Sequence, residues 1–361
     1  MSSSEVCEII REQILRFEPD AQVVSIPVAD GGEGSTDAFL SAMGGKKVFV
    51  DVWGPYGETV RGFYGRIGKT AVVEMAAAAG LPLVGENRHA EKTTTYGAGQ
   101  LIAAAIKDGA QRVIVGLGGS ATNDGGCGAA AALGVKFFDA SGKAFVPVGK
   151  TLCEIDRIDV SGIDFKGAEI ITMCDIDNPL CGPNGAAAVF GPQKGADEKT
   201  VKLLDKGLSH LADVLERDAG KPVRNIPGAG AAGGMGAGMI AFCGSSLRMG
   251  IDVVLDTVGF DGIIADAALI ITGEGRIDSQ SLRGKVVIGV ARRAKRLNKS
   301  VIAIVGDIED PIDAVYCEGV SCVLSTNRVA APFSESKQYA KRNMALTAEQ
   351  LMRIFALEES L

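Results

Sequence analysis

Only two histidines, His89 and His210, occur in the 361 residues, and the eight cysteines include no CxxC pair. A structural zinc site is therefore unsupported. In a chain of this length the cysteines read as reduced thiols rather than a disulfide framework. Long apolar runs are missing as well: 101–106 and 269–271 fall far short of the roughly 20 residues that a membrane-spanning helix needs. The chain opens on serines and a charged amphipathic stretch, with neither a basic n-region nor an apolar h-region, so a cytoplasmic protein without a membrane span is expected. A net charge of −7 and the lack of any Lys/Arg block interleaved with aromatics exclude a nucleic-acid partner.

Several familiar signatures are absent too. Gly68-Lys69-Thr70 would complete a phosphate-binding Walker loop only with glycine at 63, where the chain has Phe63. No GxSxG elbow, HExxH helix or HRD triplet occurs. Residues 228–233 satisfy GxGxxG, but the turn Asn225-Ile226-Pro227 precedes them where a dinucleotide site requires a strand. Close helix packing through small residues fits 233–238 equally well.

What the chain has in abundance is glycine, 48 residues concentrated in tracts that follow β-branched apolar runs. Residues 23–28 read as a strand entering the glycine loop 29–35, with a helix over 36–43. A helix over 97–107, a buried strand over 112–115, a loop over 116–126 and a helix over 127–133 repeat that unit. A third copy places a strand at 268–272, a loop at 273–276, a helix at 287–296 and a strand at 301–305. Such alternation predicts an α/β fold with a parallel sheet. Between these units, 46–73 and 135–172 carry short alternating strands, which suits a second, mixed domain. The expected division is a Rossmann-like parallel-sheet domain formed by 1–45, 95–135 and 258–361, interleaved with a second α/β domain formed by 46–94 and 136–257. Residues 334–361 read as a terminal packing helix.

Four tracts can carry chemistry. The loop 116–126 follows a strand and precedes a helix, where backbone N–H groups and the helix dipole converge on an anion. Gly118, Gly119, Ser120, Thr122, Asn123 and Asp124 are the candidate phosphate-binding residues, with Asp124 also able to hold a metal. A tight turn with Asp124 as N-cap is the other reading. Asp30 and Glu33, in the loop after 23–28, can meet Mg²⁺ or substrate hydroxyls, or else simply favour a helix N-terminus. Asp175, at the end of the strand 170–173, is placed to act as general base toward a hydroxyl, with an Asx-type turn as its structural alternative. Asp177 is turned away by Asn178-Pro179. Arg276 can grip a carboxylate or phosphate and Lys285 can meet charge developing on a transferred phosphoryl group, although a surface ion pair accounts for either one separately.

Taken together, VADGGEG (28–34), GLGGSATNDGG (116–126), CDIDNPL (174–180), FGPQKGA (190–196), GAGAAGGMGAG (228–238) and ITGEGRID (271–278) resemble the bacterial glycerate kinase family of the glycerate 2-kinase type, nearly from end to end. The resemblance implies ATP and Mg²⁺, D-glycerate as acceptor, 2-phosphoglycerate as product, and an active site in the cleft between two α/β domains of a monomer or homodimer. It carries the family's proposed base to Asp175. The family places an opening strand and an Asp-Ser-Phe-Lys type segment before the helix that here begins near Ser2, so Met1 is expected to be an internal methionine of a longer chain. Two alternatives accompany this reading: a catalytically impaired ligand-binding remnant, and a dinucleotide-dependent oxidoreductase using 228–233.

Overall fold

The computed structural model of the chain describes residues 1–28, 32, 34–278, 281–329, 335 and 337–358. It divides into two compact units, one of 1–29, 41–43 and 251–361 and the other of 30–40 and 44–250.

The larger unit is built on six strands. These are β1 (Lys46–Trp53), β2 (Thr59–Ile67), β3 (Thr70–Glu74), β4 (Arg112–Gly116), β8 (Glu169–Met173) and β9 (Ser246–Arg248), hydrogen-bonded in the order β1-β2-β3-β4-β8-β9. The first three pair antiparallel; β3, β4, β8 and β9 run parallel. Their sequences explain the difference. β3, β4 and β8 are nearly continuous apolar runs, TAVVE, RVIVG and EIITM, buried along almost their whole length as parallel strands covered on both faces must be. Strand β1 alternates Val48, Val50 and Val52 with exposed residues, leaving one face to solvent.

The core on one side joins Val73, Val113 and Val115 to Leu101 and Ile102 of the helix Tyr96–Lys107 and to Met235 and Met239 of the helix Ala231–Cys243. A second core gathers around the helix Glu198–Ala219, whose Leu204, Leu208, Leu211 and Leu215 recur at helical spacing and are all buried. It also covers a small antiparallel sheet of β5 (Lys136–Phe138), β6 (Ala144–Phe145) and β7 (Arg157–Asp159).

In the other unit, β10 (Ile270–Ile277), β11 (Val301–Ile308) and β12 (Cys322–Ser325) form a parallel sheet. The helices Ser3–Phe17 and Ala340–Glu358 supply Val6, Ile9, Met344 and Leu351 to a core with Ile302 and Ile304. The first of these helices starts on a capping box: the Glu5 N–H donates to Ser2 Oγ at 3.2 Å and the Ser2 N–H to Glu5 Oε2 at 2.8 Å.

Three expectations change. Residues 95–135, expected with the chain termini, lie with 46–94, because β4 hydrogen-bonds to β3 on one side and β8 on the other. Residues 23–28 form no strand; Pro27 has no N–H to give to a ladder. The expected loop 273–276 is strand, since Glu274 and Arg276 pair in register with Val305 and Asp307. A Cβ at Gly273 would stand 2.3 Å from the Ile304 carbonyl oxygen, so glycine there permits close strand approach rather than a turn.

Candidate active site

In register, Glu74 faces Gly116, Gly116 faces Met173, and Met173 faces Arg248, so the four parallel strands of the larger unit end level with one another. The residues that follow them, the loop 116–126 after β4 and Asp175 after β8, therefore share the carboxyl edge of the sheet. Open α/β sheets bind their ligands at that edge.

The loop is layered. Gly119 is exposed at its tip with φ +72°, Gly118 is half-buried, and Thr122, Asn123 and Asp124 are fully buried beneath. Asp124 is used internally. Its Oδ2 accepts from the Thr95 N–H at 2.7 Å, the Thr95 hydroxyl at 2.9 Å and the Gly128 N–H at 3.2 Å, while Oδ1 accepts from the Gly126 N–H at 3.1 Å. Burial pushes its carboxyl pKa up, against these hydrogen bonds, which pull it down. Its carboxylate thus occupies the amides of Gly126 and Gly128 at the start of the short helix Cys127–Ala132, whose N-cap is Gly126 and not, as the alternative reading had it, Asp124. A bound metal would have to compete with four donors for it. Among the described residues no group of three or more His, Cys, Asp or Glu side chains is assembled to hold a metal ion. In contrast, Thr122 Oγ1 and both polar atoms of the Asn123 amide are buried without a hydrogen-bond partner, a condition costing about 1–3 kcal/mol per group that a polar ligand would relieve.

Two further tracts close on this loop. FGPQKGA brings Lys194, only 2% exposed, against it: Nζ donates to Ser120 Oγ and to the Thr122 carbonyl, both at 2.7 Å. Burial lowers the Lys194 pKa to about 7, with the Asp124 charge opposing. GAGAAGGMGAG lies behind: the Gly125 N–H donates to the Gly233 carbonyl at 3.0 Å, and a Cβ at Gly233 would stand 2.0 Å from the Thr122 oxygen. The glycines at 228–238 thus serve backbone packing, which removes the structural basis of the dinucleotide alternative.

Asp175 sits half-buried just past β8, where its Oδ1 accepts from the Gly250 N–H at 2.6 Å. Asp177 is exposed, and the Asn178 carbonyl accepts from the Gly230 N–H at 3.0 Å, tying CDIDNPL to the same glycine tract. Asp30 and Glu33 lie outside the described residues. The end of their motif is nonetheless fixed by a side chain that sequence reasoning missed. Glu74, 3% exposed, accepts from the Gly34 N–H at 3.2 Å and from the Thr36 N–H at 2.6 Å, clasping the start of the helix Ser35–Met43 to the end of β3. An acid closing the apolar strand TAVVE was the available signal, since such a residue must find donors when buried. Hydrogen bonds to a charged group contribute about 1.5–3 kcal/mol each. Glu74→Ala is therefore expected to lower unfolding stability by at least about 2 kcal/mol, and Glu74→Gln by less, since it keeps an acceptor. Equal denaturation midpoints for Glu74→Ala and the parent would rule the clasp out.

The remaining candidates belong to the other unit. Arg276 is 53% exposed and ion-paired with Glu309. Lys285 is half-buried at the N-cap of the helix Val286–Arg296. Beside it Glu274, also half-buried, has its pKa raised by burial, with the Ser281 hydroxyl and the Lys285 charge pulling it down and Asp278 pushing it up. Its Oε1 is buried without a partner.

A glycine loop over orphaned polar groups, a buried lysine and an aspartate, gathered at the carboxyl edge of a parallel sheet, define an α/β enzyme that handles a small polar ligand. The comparisons specify which. Residues 1–356 match the profile described as the glycerate kinase family. A Bacillus subtilis glycerate kinase is 44% identical, spanning 100% of this chain and 96% of the relative. An Escherichia coli glycerate 2-kinase is also 44% identical, spanning 99% and 95%. A crystal structure from Salmonella typhimurium LT2, of a protein provisionally assigned as glycerate kinase 2, superposes with a TM-score of 0.89 at 42% identity, over 100% of this chain and 96% of that one. The chain belongs to the glycerate kinase family, and as a member it is a kinase that uses ATP. Among the described residues no helix is long and apolar enough to cross a membrane.

Proposed function

We propose that the protein transfers the γ-phosphoryl group of ATP to the 2-hydroxyl of D-glycerate, giving ADP and 2-phosphoglycerate. The observation that carries this reading is the near end-to-end similarity to a protein named glycerate 2-kinase; the placement of Asp175 beside the loop 116–126 fits it. Asp175 accepts the hydroxyl proton as the glycerate oxygen bonds to phosphorus and the bond from phosphorus to the β-phosphate oxygen breaks. Gly118, Gly119 and Ser120 present backbone and hydroxyl donors to the nucleotide phosphates, with Thr122 and Asn123 supporting them from beneath. In-line transfer of this kind depends chiefly on positioning and charge stabilisation.

Mg²⁺ is proposed as the companion of the nucleotide phosphates, since in kinase sites it commonly keeps several waters and is held by those phosphates together with one or two protein carboxylates. Of the two expected metal ligands, Asp124 does not fit, because both its oxygens are engaged by protein donors, and Asp30 lies outside the described residues.

The test is ADP release from ATP, Mg²⁺ and D-glycerate, with the product read by ³¹P NMR. Formation of 2-phosphoglycerate is expected. The 3-phosphate would overturn the choice of hydroxyl, and ligand binding without turnover would favour the impaired remnant.

A further inference from the structure

Lysine is almost never fully buried unless it is paired, yet Lys194 is 2% exposed and has no ion-pair partner among the described residues. Its two acceptors are neutral, a hydroxyl and a carbonyl. A neutral side chain could make the same two bonds at lower desolvation cost, so a strut alone gives no reason for an amine.

Its place is also fixed from behind. Lys194 ends the short turn Pro192–Lys194, followed by Gly195 at φ +89°, and the neighbouring Gln193 carbonyl accepts from Arg88 Nη1 at 2.7 Å. A Cβ at Gly195 would stand 2.3 Å from the Arg88 carbonyl oxygen. The turn thus has little room to shift, and the side chain reaches the underside of the loop from a rigid base.

We propose that Lys194 is a positioning residue for phosphoryl transfer, holding 118–122 in its phosphate-binding conformation through Ser120 and Thr122 and setting a buried cation beneath the nucleotide phosphates. This rests on the reading above that the loop binds those phosphates. Lys194 acts through the loop, since it is itself covered. Asp124 is the ionisable side chain whose charge acts on it; its two hydrogen-bond acceptors, the Ser120 hydroxyl and the Thr122 carbonyl, do not titrate, and the charged group against its own turn is the Arg88 guanidinium, which donates to the Gln193 carbonyl. The amine is charged below about pH 7 and neutral above it, so its attraction for phosphate is strongest on the acid side.

The experiment compares the parent with Lys194→Arg and Lys194→Met, measuring kcat/KM for ATP from pH 5.5 to 9, KM for D-glycerate, and ADP affinity by calorimetry. The parent is expected to show kcat/KM for ATP falling as pH rises through about 7. Both variants are expected to lose that limb, and Lys194→Met to lose tenfold or more in kcat/KM for ATP with KM for glycerate changed less than twofold. An unchanged pH profile, or equal losses toward ATP and glycerate, would overturn the proposal in favour of a structural strut. Should the parent fail to turn over D-glycerate, the function proposed above falls, and ADP affinity decides this one separately: equal affinity in parent and Lys194→Met sinks it. If neither variant folds, Ser120→Ala removes one acceptor while keeping the lysine, and a pH limb left at its parental midpoint is then the overturning result.

Discussion

Replacing Asp175 by asparagine is expected to lower kcat for D-glycerate phosphorylation by about 10²-fold or more, within the usual contribution of a general base, while leaving the fold and ADP affinity unchanged. The Gly250 N–H donates to Asp175 Oδ1 at 2.6 Å, and an asparagine carbonyl accepts that bond equally well, so the substitution removes basicity and charge while keeping this contact. The lower end of the usual 10²–10⁴ range is the reasonable expectation, because a loose phosphoryl-transfer transition state leaves much of the proton on the attacking hydroxyl until late. Asp175→Ala removes the hydrogen bond as well and is expected to lose stability in addition to rate. Asp177→Asn is the control. Asp177 is exposed, and its substitution should change kcat by less than about threefold, a surface effect of well under 1 kcal/mol. Should Asp177→Asn be the crippling change and Asp175→Asn the mild one, the base has been assigned to the wrong carboxylate. Steady-state kinetics at saturating ATP and glycerate, with melting temperatures recorded for each variant, separate these outcomes.

Periodicity and punctuation were enough to locate most elements. The helix over 97–107 is found as Tyr96–Lys107, the strand over 112–115 as β4, and the helix over 287–296 as Val286–Arg296, each marked by an uninterrupted apolar pattern between breakers. The grouping of elements was less legible. Three similar strand-glycine-helix units suggested one sheet, but strand pairing is a long-range choice, and β4 joins β3 and β8 whereas β10 joins β11. The same limit governs the site. Asp175 could be singled out because it ends a readable strand. Asp124, equally prominent in its motif, turns out to be consumed by Thr95, Gly126 and Gly128, a partnership that spans 29 residues in the case of Thr95 and leaves no local trace. Lys194 and Glu74 went unnoticed for the converse reason: nothing beside them in sequence announces that each is buried against a glycine loop 74 or 38 residues away.

The glycines of 228–238 offer the largest expected effect on stability, and they separate two reasons for using the residue. Gly233 has φ +66°, and a Cβ there would lie 2.0 Å from the Thr122 oxygen and 2.5 Å from Asn123 Cα. These are backbone atoms, which cannot rotate aside. Gly244, at the end of the same helix, has φ +59° with nothing within 4 Å of its Cβ position. Left-handed backbone by itself costs an alanine about 1–2 kcal/mol, and the native Ala232 already adopts φ +52° one residue away, so conformation alone does not demand glycine at 233. Gly244→Ala is therefore expected to cost about 1 kcal/mol in denaturant unfolding. Gly233→Ala adds overpacking of about 1–3 kcal/mol and is expected to cost roughly 2–5 kcal/mol in total. Because the displaced atoms belong to Thr122 and Asn123, Gly233→Ala should also raise KM for ATP under conditions where the variant remains folded, and Gly244→Ala should not. If the two variants unfold at the same denaturant concentration and bind ATP alike, the glycine tract does not support the loop in the way its geometry implies.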